Sequence, residues 1–158
     1  MSEVALLWVG RRAPAPVEEL AAEYKRRLAR HMRLDEVRVK PAAGREGDPR
    51  RALAQEAAAL RRHLLPGDWV VALDERGSEK TTEELARWVA LNRNRGRIAL
   101  VIGSDLGLDA EFRRHANELL ALSRLTLPHQ LARLLLLEQL YRTCDWLAGG
   151  AYHRGDAG

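Results

Sequence analysis

Cysteine is nearly absent from the sequence, and aromatic residues are scarce. Cys144 is the one cysteine among 158 residues, and phenylalanine, tyrosine and tryptophan together make up 5% of the chain. A single cysteine cannot form an internal disulfide or a thiolate metal site, so a reducing, cytoplasmic location is expected. We expect Cys144 to be unreactive, because an apolar position within a helix raises the pKa of a thiol.

Long apolar runs and the common nucleotide motifs are also missing. No segment approaches the roughly 20 apolar residues of a membrane-spanning helix, and residues 1–12 lack the features of a signal peptide. No G-x-G-x-x-G follows the first apolar run, and neither G-x-x-x-x-G-K-[ST] nor G-x-S-x-G occurs. The histidines show no metal-ligand spacing, so no metal site is predicted. A dinucleotide-dependent oxidoreductase is therefore poorly supported.

Lysine is scarce, whereas arginine is abundant. Three of the 26 basic residues are lysines and the other 23 are arginines, and the net charge is +4 with an isoelectric point of about 9.7. Arginine suits bidentate contact with phosphate and stacking on bases. The positive balance is compatible with a nucleic-acid partner, but it is too small to indicate one by itself.

Apolar strand patterns alternate with helical periodicity along the whole chain. Strands are predicted at 4–9, 34–39, 69–73, 98–102 and 119–122, and helices at 17–32, 50–64, 81–92, 110–115 and from about 126 to 147. The strand at 34–39 alternates apolar and charged residues, which indicates a position near a sheet edge. This order predicts a single α/β domain over residues 1–158, with a largely parallel sheet and helices on both faces.

The last long helix has apolar residues on more than one side. Four leucines occupy 134–137, whereas one apolar stripe suffices for a helix on a protein surface. This helix is therefore predicted to pack on its own sheet and on a partner chain. Thr126 is the predicted N-cap, and Pro128 is predicted in the first turn, where its missing N–H costs little.

Three apolar strands end in loops of small or polar residues, at 73–77, 103–107 and 122–126. Ligands of open α/β sheets bind outside the carboxyl ends of the strands. Gly77, Gly103 and Gly107 would let the backbone approach a ligand closely. Each loop alone is a weak indication, because a glycine after a strand is usually part of a turn.

Several motifs together resemble one protein family. They are LDERG at 73–77, VIG at 101–103, LSRLTLPHQLAR at 122–133, EQLYR at 138–142 and AYHR at 151–154. The chain is similar along its whole length to the ribosomal RNA large subunit methyltransferase H family, a minimal group of SPOUT methyltransferases. One position departs from the family pattern, because Ser104 stands where a second glycine is common.

The resemblance implies a SPOUT-type fold with a deep C-terminal trefoil knot, with the knot and cofactor site at roughly 70–147 and a functional tail at 149–158. It also implies a homodimer that binds S-adenosyl-L-methionine and methylates N3 of a pseudouridine in 23S rRNA within the assembled 70S ribosome. The cofactor-binding positions that it implies are Leu73, Gly103, Leu122, Ser123, Arg124, Leu125, Thr126 and Leu127.

Residues near the start of the last helix and on the tail are candidates for the chemistry. His129 and Arg133 lie four residues apart and share one helix face, so His129 is a candidate base and Arg133 a candidate for charge stabilisation. An ion pair is the competing interpretation for Arg133. Candidate substrate contacts are Arg142, Tyr152, His153 and Arg154, although Arg142 also has the spacing for an ion pair with Glu138.

Other functions remain open at this point. A SPOUT methyltransferase acting on tRNA or another rRNA base has the same sequence features, because target choice depends on surface shape. A ribosome-binding factor without catalysis is an alternative of a different class, and it would have no affinity for S-adenosylmethionine.

Overall fold

Five parallel strands form one sheet, and they are β1 (Ser2–Val9), β2 (Met32–Val39), β3 (Trp69–Glu79), β4 (Ile98–Ile102) and β5 (Glu118–Ala121). Their order across the sheet is β2-β1-β4-β3-β5. The helices are α1 (Ala15–Leu28), α2 (Pro49–Arg61), α3 (Thr82–Asn92), α4 (Ala110–His115), α5 (His129–Leu147) and α6 (Tyr152–Gly155). The computed structural model describes residues 2–155.

Helices cover both faces of the sheet, as predicted. Alternate residues of β1 enter different cores, because successive side chains of a strand point to opposite faces. Leu6 joins the core beneath α1, α3 and α5, and Leu7 joins the core beneath α2 and α4. All five residues of β4 are buried, which explains its unbroken apolar run. The half-polar strand β2 lies at the sheet edge, as its alternation predicted.

Several predicted boundaries were wrong, and α2, for example, ends at Arg61 and not at Leu64. The first helix ends at Leu28, not at Met32, because Met32 pairs with Ser2 and opens β2. Strand β3 continues past Leu73 to Glu79 through an irregularity, and Ser78 and Glu79 pair again with β5. The backbone after Leu73 is therefore a bulge within an extended strand.

The helix starts follow local capping chemistry where capping residues exist. Thr81 and Glu84 form the predicted capping box at α3. The predicted cap at α5 was wrong, because Pro128 occupies the N-cap position and the Thr126 hydroxyl donates instead to Glu75. Among residues 2–155, no helix is both long and apolar enough to cross a membrane.

Arg133 joins α5 to α1 and to the sheet edge. Its side chain is 2% exposed, and Nε donates to Glu36 Oε2 on β2 at 2.7 Å. The two terminal nitrogens donate to Glu18 on α1 at 3.0 and 3.2 Å. The guanidinium also lies 4.7 Å from the centre of the Trp8 ring. A buried charge needs such complete pairing, because unpaired burial costs several kcal/mol.

The ion pairs hold Glu36 in its charged form. Burial acts to raise the pKa of Glu36, but hydrogen bonds from Arg133 and Lys25 outweigh burial and lower the pKa below its ordinary value of 4.5. A carboxyl with a lowered pKa stabilises the fold above its unfolded-state pKa. Its contribution is lost as the pH falls through the folded-state value.

We predict that Arg133→Ala lowers the free energy of unfolding by about 3 kcal/mol at pH 7, because it leaves the largely buried Glu36 carboxylate and the half-buried Glu18 carboxylate without this partner. Urea denaturation at fixed protein concentration measures this change. The matched control is Arg26→Ala, since Arg26 pairs with Glu23 on the exposed face of α1, and it should cost under about 1 kcal/mol. The gap between the two variants should shrink below pH 4.5. Equal losses at pH 7 would contradict a structural role for Arg133.

Candidate functional site

The three loops singled out in the sequence meet at one edge of the sheet. Strands β4, β3 and β5 are parallel neighbours, so the backbones that leave their carboxyl ends lie side by side. They enclose a cavity of about 1030 Å³. A cavity of this size accommodates a nucleoside-sized ligand with room beside it.

The loop after β4 folds back on itself. Gly107 N–H donates to the Ser104 carbonyl at 2.8 Å, and Gly107 has a φ of 85°, which favours glycine. A Cβ added to Gly103 would lie 2.3 Å from the Gly107 carbonyl oxygen. Gly103 is therefore required by close backbone packing within the loop that lines the cavity.

The loop after β5 is connected to the backbone after β3. The Thr126 hydroxyl donates to Glu75 Oε2 at 2.8 Å, and Leu125 N–H donates to the Ser123 hydroxyl at 2.9 Å. Leu125 remains 74% exposed beside the cavity. This wall is therefore suited to cover the apolar part of a bound ligand.

His129 begins α5 and lines the cavity. Its ring stacks on Trp8, with 6.3 Å between ring centres, and a Cβ on Gly10 would lie 2.6 Å from Nε2. Burial lowers the pKa of His129, and the positive charge of Arg45 lowers it further. His129 is therefore neutral near pH 7 and can accept a proton.

The cavity is lined by seven of the eight residues that the resemblance assigned to the cofactor. They are Leu73, Gly103, Leu122, Ser123, Leu125, Thr126 and Leu127. Arg124 points away instead, with 85% of its side chain exposed and Nε 3.6 Å from Glu79. Among residues 2–155, no cluster of His, Cys, Asp and Glu side chains could hold a metal ion.

Arg133 and Arg142 are engaged elsewhere in the single chain. Arg133 lies one turn after His129 but is enclosed by Glu18 and Glu36. Arg142 donates to Glu138 at 2.8 Å, as its spacing predicted, and stacks on Tyr152. Their roles in catalysis and substrate binding stay predictions, and the geometry of the single chain favours structural roles.

The tail packs on the far end of α5. The Tyr152 hydroxyl lies 3.3 Å from both Tyr24 and Glu138, and its ring packs edge-on against Tyr141. His153 packs on Trp146, and Arg154 is exposed. The helix rises roughly 13 Å between His129 and Glu138 at 1.5 Å per residue, so the tail lies apart from the cavity of its own chain. Residues 156–158 of the predicted tail lie outside the described residues.

Comparisons with known proteins agree with this geometry. Residues 2–153 match the family described as "Predicted SPOUT methyltransferase". A protein of Dechloromonas aromatica named "Ribosomal RNA large subunit methyltransferase H" is 42% identical over 153 residues, which cover 96% of this chain and 98% of that protein. A protein of the same name from Gloeobacter violaceus is 41% identical, with 96% and 99% covered.

The chain belongs to the ribosomal RNA large subunit methyltransferase H family of SPOUT methyltransferases. The resemblance stated from the motifs is thereby confirmed.

Solved structures share the fold of this SPOUT chain at low sequence identity. A probable methyltransferase from Bordetella pertussis Tohama I superposes with a TM-score of 0.58 at 19% identity, covering 90% of this chain and 95% of its own. A probable methylase family protein from Haemophilus influenzae Rd KW20 has the same TM-score at 15% identity, covering 96% and 71%. The predicted α/β fold with a parallel sheet is confirmed.

Sequence reasoning missed several residues at the site. Glu75 accepts a hydrogen bond from Thr126 in the loop after β5, and Trp8 and Gly10 adjoin His129. The positive charge of Arg45 lowers the pKa of His129. Arg45 stands beside Gly44 in the loop after β2, which leaves the same edge of the sheet as the other three loops. Applying the carboxyl-end rule to every strand would have included Arg45. Cys144 is buried, and burial raises its pKa to about 11, so it is no nucleophile.

We predict that Gly103→Ala lowers affinity for S-adenosylmethionine, the ligand implied by the resemblance, at least tenfold. The added methyl group collides with the Gly107 backbone, so the loop must open and the cavity wall moves. Isothermal titration calorimetry measures the dissociation constant. Gly47→Ala is the control, because its Cβ would meet ordinary contact at 3.8 Å. Unchanged affinity in Gly103→Ala would remove the loop from the ligand site.

Proposed function

We propose that this chain is an S-adenosylmethionine-dependent methyltransferase that methylates N3 of a pseudouridine in 23S rRNA on the assembled ribosome, in the cytoplasm. The names of its relatives support large-subunit rRNA as the substrate class. The observation that carries the proposal is the convergence of three loops, from neighbouring strands, on one cavity beside His129.

The cavity suits the proposed cofactor in shape and chemistry. Leu73, Leu122 and Leu125 supply apolar walls for an adenine ring, and the loop that begins at Gly103 forms a further wall. Asp74 and Asp105 also line the cavity, but each is ion-paired with an arginine, so the lining carries charge of both signs. The leucines and the loop after β4 would hold the nucleoside part of the cofactor.

When bound, S-adenosylmethionine supplies a methyl group on a sulfonium sulfur, and transfer forms the N3–carbon bond, breaks the carbon–sulfur bond, leaves a neutral thioether and releases the N3 proton. The protein must orient the base and accept that proton. Neutral His129 on the cavity wall is the proposed acceptor. Its stacking on Trp8 limits ring movement and holds it toward the cavity.

We infer that the active form is a homodimer that uses α5. Large apolar side chains remain exposed along α1 and α5, with Leu20 44%, Leu131 50% and Leu147 43% exposed. Covering them against a second copy would remove this apolar surface from water. We also propose that the dimer brings the tail of one chain to the cavity of the other. The reason is that the tail lies apart from the cavity of its own chain.

The knot implied by the resemblance is part of this proposal. The strand order and the packing of α5 across β4 and β1 are compatible with a chain that passes through its own loop. Knotting would hold the loops after β4 and β5 together without help from a ligand.

We predict methyl transfer from labelled S-adenosylmethionine to 70S ribosomes, with weaker transfer to free 50S subunits and naked rRNA. A small chain with a net charge of +4 lacks the charge to bind bare RNA tightly, so an assembled surface should improve recognition. Mass spectrometry of the modified rRNA locates the methyl group. Label found only in tRNA would overturn the substrate assignment, and absence of cofactor binding would favour a non-catalytic ribosome-binding factor.

We predict that two impaired variants complement each other in a mixed dimer. The assay uses a cofactor concentration near the wild-type dissociation constant, at which the weakened Gly103→Ala cavity stays largely empty. One variant carries Gly103→Ala with an intact tail, and the other ends after Gly150 with an intact cavity. If the tail serves the partner's site, the heterodimer contains one complete site and regains up to half of wild-type activity. Co-purified, differently tagged chains measure this recovery. Activity no higher than that of the separate variants would contradict a shared site.

A further inference from the structure

The loop between β2 and α2, residues 40–48, lies against the loop after β4. Glu56 on α2 is 3% exposed and connects the two loops. One of its oxygens accepts from Ala42 N–H at 3.0 Å, and the other accepts from the Ser104 hydroxyl at 2.8 Å. The loop at 40–48 is therefore held at the cavity edge by a buried hydrogen-bonded acid.

Arg45 is the cation that this loop carries to the site. Its side chain is three-quarters buried and ion-paired with Asp105, which lines the cavity. Its Nε is buried and donates to no acceptor among residues 2–155. A buried donor without a partner costs about 1–3 kcal/mol. Arg45 borders the cavity through its partner Asp105, so a shift of the side chain on binding would let an oxygen of the bound molecule accept from Nε and remove this cost.

The other arginines near His129 and the cofactor loops have different positions. Arg133 is enclosed by two carboxylates, and Arg113 donates to Asp74 at 3.0 Å. Arg50 and Arg114 line the cavity but are exposed, which suits contact with RNA phosphates. Arg45 differs because it is largely shielded from water, and its positive charge lowers the pKa of His129.

We propose that Arg45 is a catalytic residue whose guanidinium donates a hydrogen bond to a ring carbonyl oxygen of the target base. This inference rests on the proposed function, in which loss of the N3 proton leaves negative charge on the flanking carbonyl oxygens. A permanently charged donor placed at that oxygen stabilises the charge as it develops. Asp105 would hold the guanidinium in place before the base arrives.

The role expected for Arg133 from the sequence is thus assigned to a residue of the loop at 40–48. Arg133 is enclosed by two carboxylates, whereas Arg45 has a donor, Nε, that has no acceptor among residues 2–155. The buried hydrogen bonds of Glu56 explain how a loop with two glycines, Gly44 and Gly47, can hold a catalytic side chain in position.

The test compares Arg45→Gln and Arg45→Lys with Arg51→Ala under single-turnover conditions on 70S ribosomes at saturating cofactor. Arg45→Gln keeps much of the side-chain volume but loses the charge, and we expect its rate to fall about a hundredfold. Arg45→Lys should recover part of the rate. Arg51 is exposed one residue beyond Arg50, so Arg51→Ala removes one charge from the same region and should change the rate less than threefold.

Two measurements without substrate complete the test. Calorimetry should give Arg45→Gln the wild-type affinity for S-adenosylmethionine within about twofold, since the proposed contact is with the base. Histidine NMR titration, assigned with His129→Gln, should show the pKa of His129 rising in Arg45→Gln, because the neighbouring positive charge is gone.

The outcomes separate the inference from the proposed function. Wild-type rates in Arg45→Gln, or a loss of cofactor affinity that matches the loss of rate, would overturn the catalytic role. An unchanged His129 titration would overturn the placement of Arg45, whatever the substrate is. A wild-type enzyme that methylates no ribosomal RNA would instead overturn the proposed function, and the assignment to a base carbonyl would fall with it.

Discussion

Helix α5 is held by a buried arginine between two carboxylates, and the rest of the site depends on that arrangement. Arg133 on α5 donates hydrogen bonds to Glu18 on α1 and Glu36 on β2, so it fixes the position of α5 relative to both elements. His129 is one turn earlier and shares that position. Residues at the start of α5, including His129 and Ala132, line the cavity, so the ion pairs of Arg133 also position this wall.

Much of the fold could be predicted, because its elements are determined by local patterns. The unbroken apolar run of β4 and the alternation in β2 indicated a buried strand and an edge strand, and both assignments are confirmed. The rule that ligands lie at the carboxyl ends of parallel strands then predicted that the loops containing Leu73, Gly103 and Leu122 lie close together. The helix ends were less predictable, since Met32 continues a helical pattern but pairs with Ser2.

The partners of charged side chains could not be predicted in the same way. Glu18 and Arg133 are 115 residues apart, and no local pattern indicates that they meet. Arg142 and Glu138 lie on one helix, and their pairing was predicted from spacing alone. Arg45 was also missed because its position depends on contacts distant in sequence. The sequence of a glycine-rich loop does not indicate which neighbouring element will fix the position of that loop.

The hydrogen bond from Ser104 to Glu56 also constrains how such a chain can evolve. A buried carboxyl group that loses one hydrogen-bond donor is destabilised unless another donor replaces it. A glycine at position 104 would remove the Ser104 hydroxyl that donates to one Glu56 oxygen. Positions 56 and 104 should therefore covary among descendants of this sequence. A hydroxyl that was gained by one substitution becomes difficult to lose without a second substitution 48 positions away.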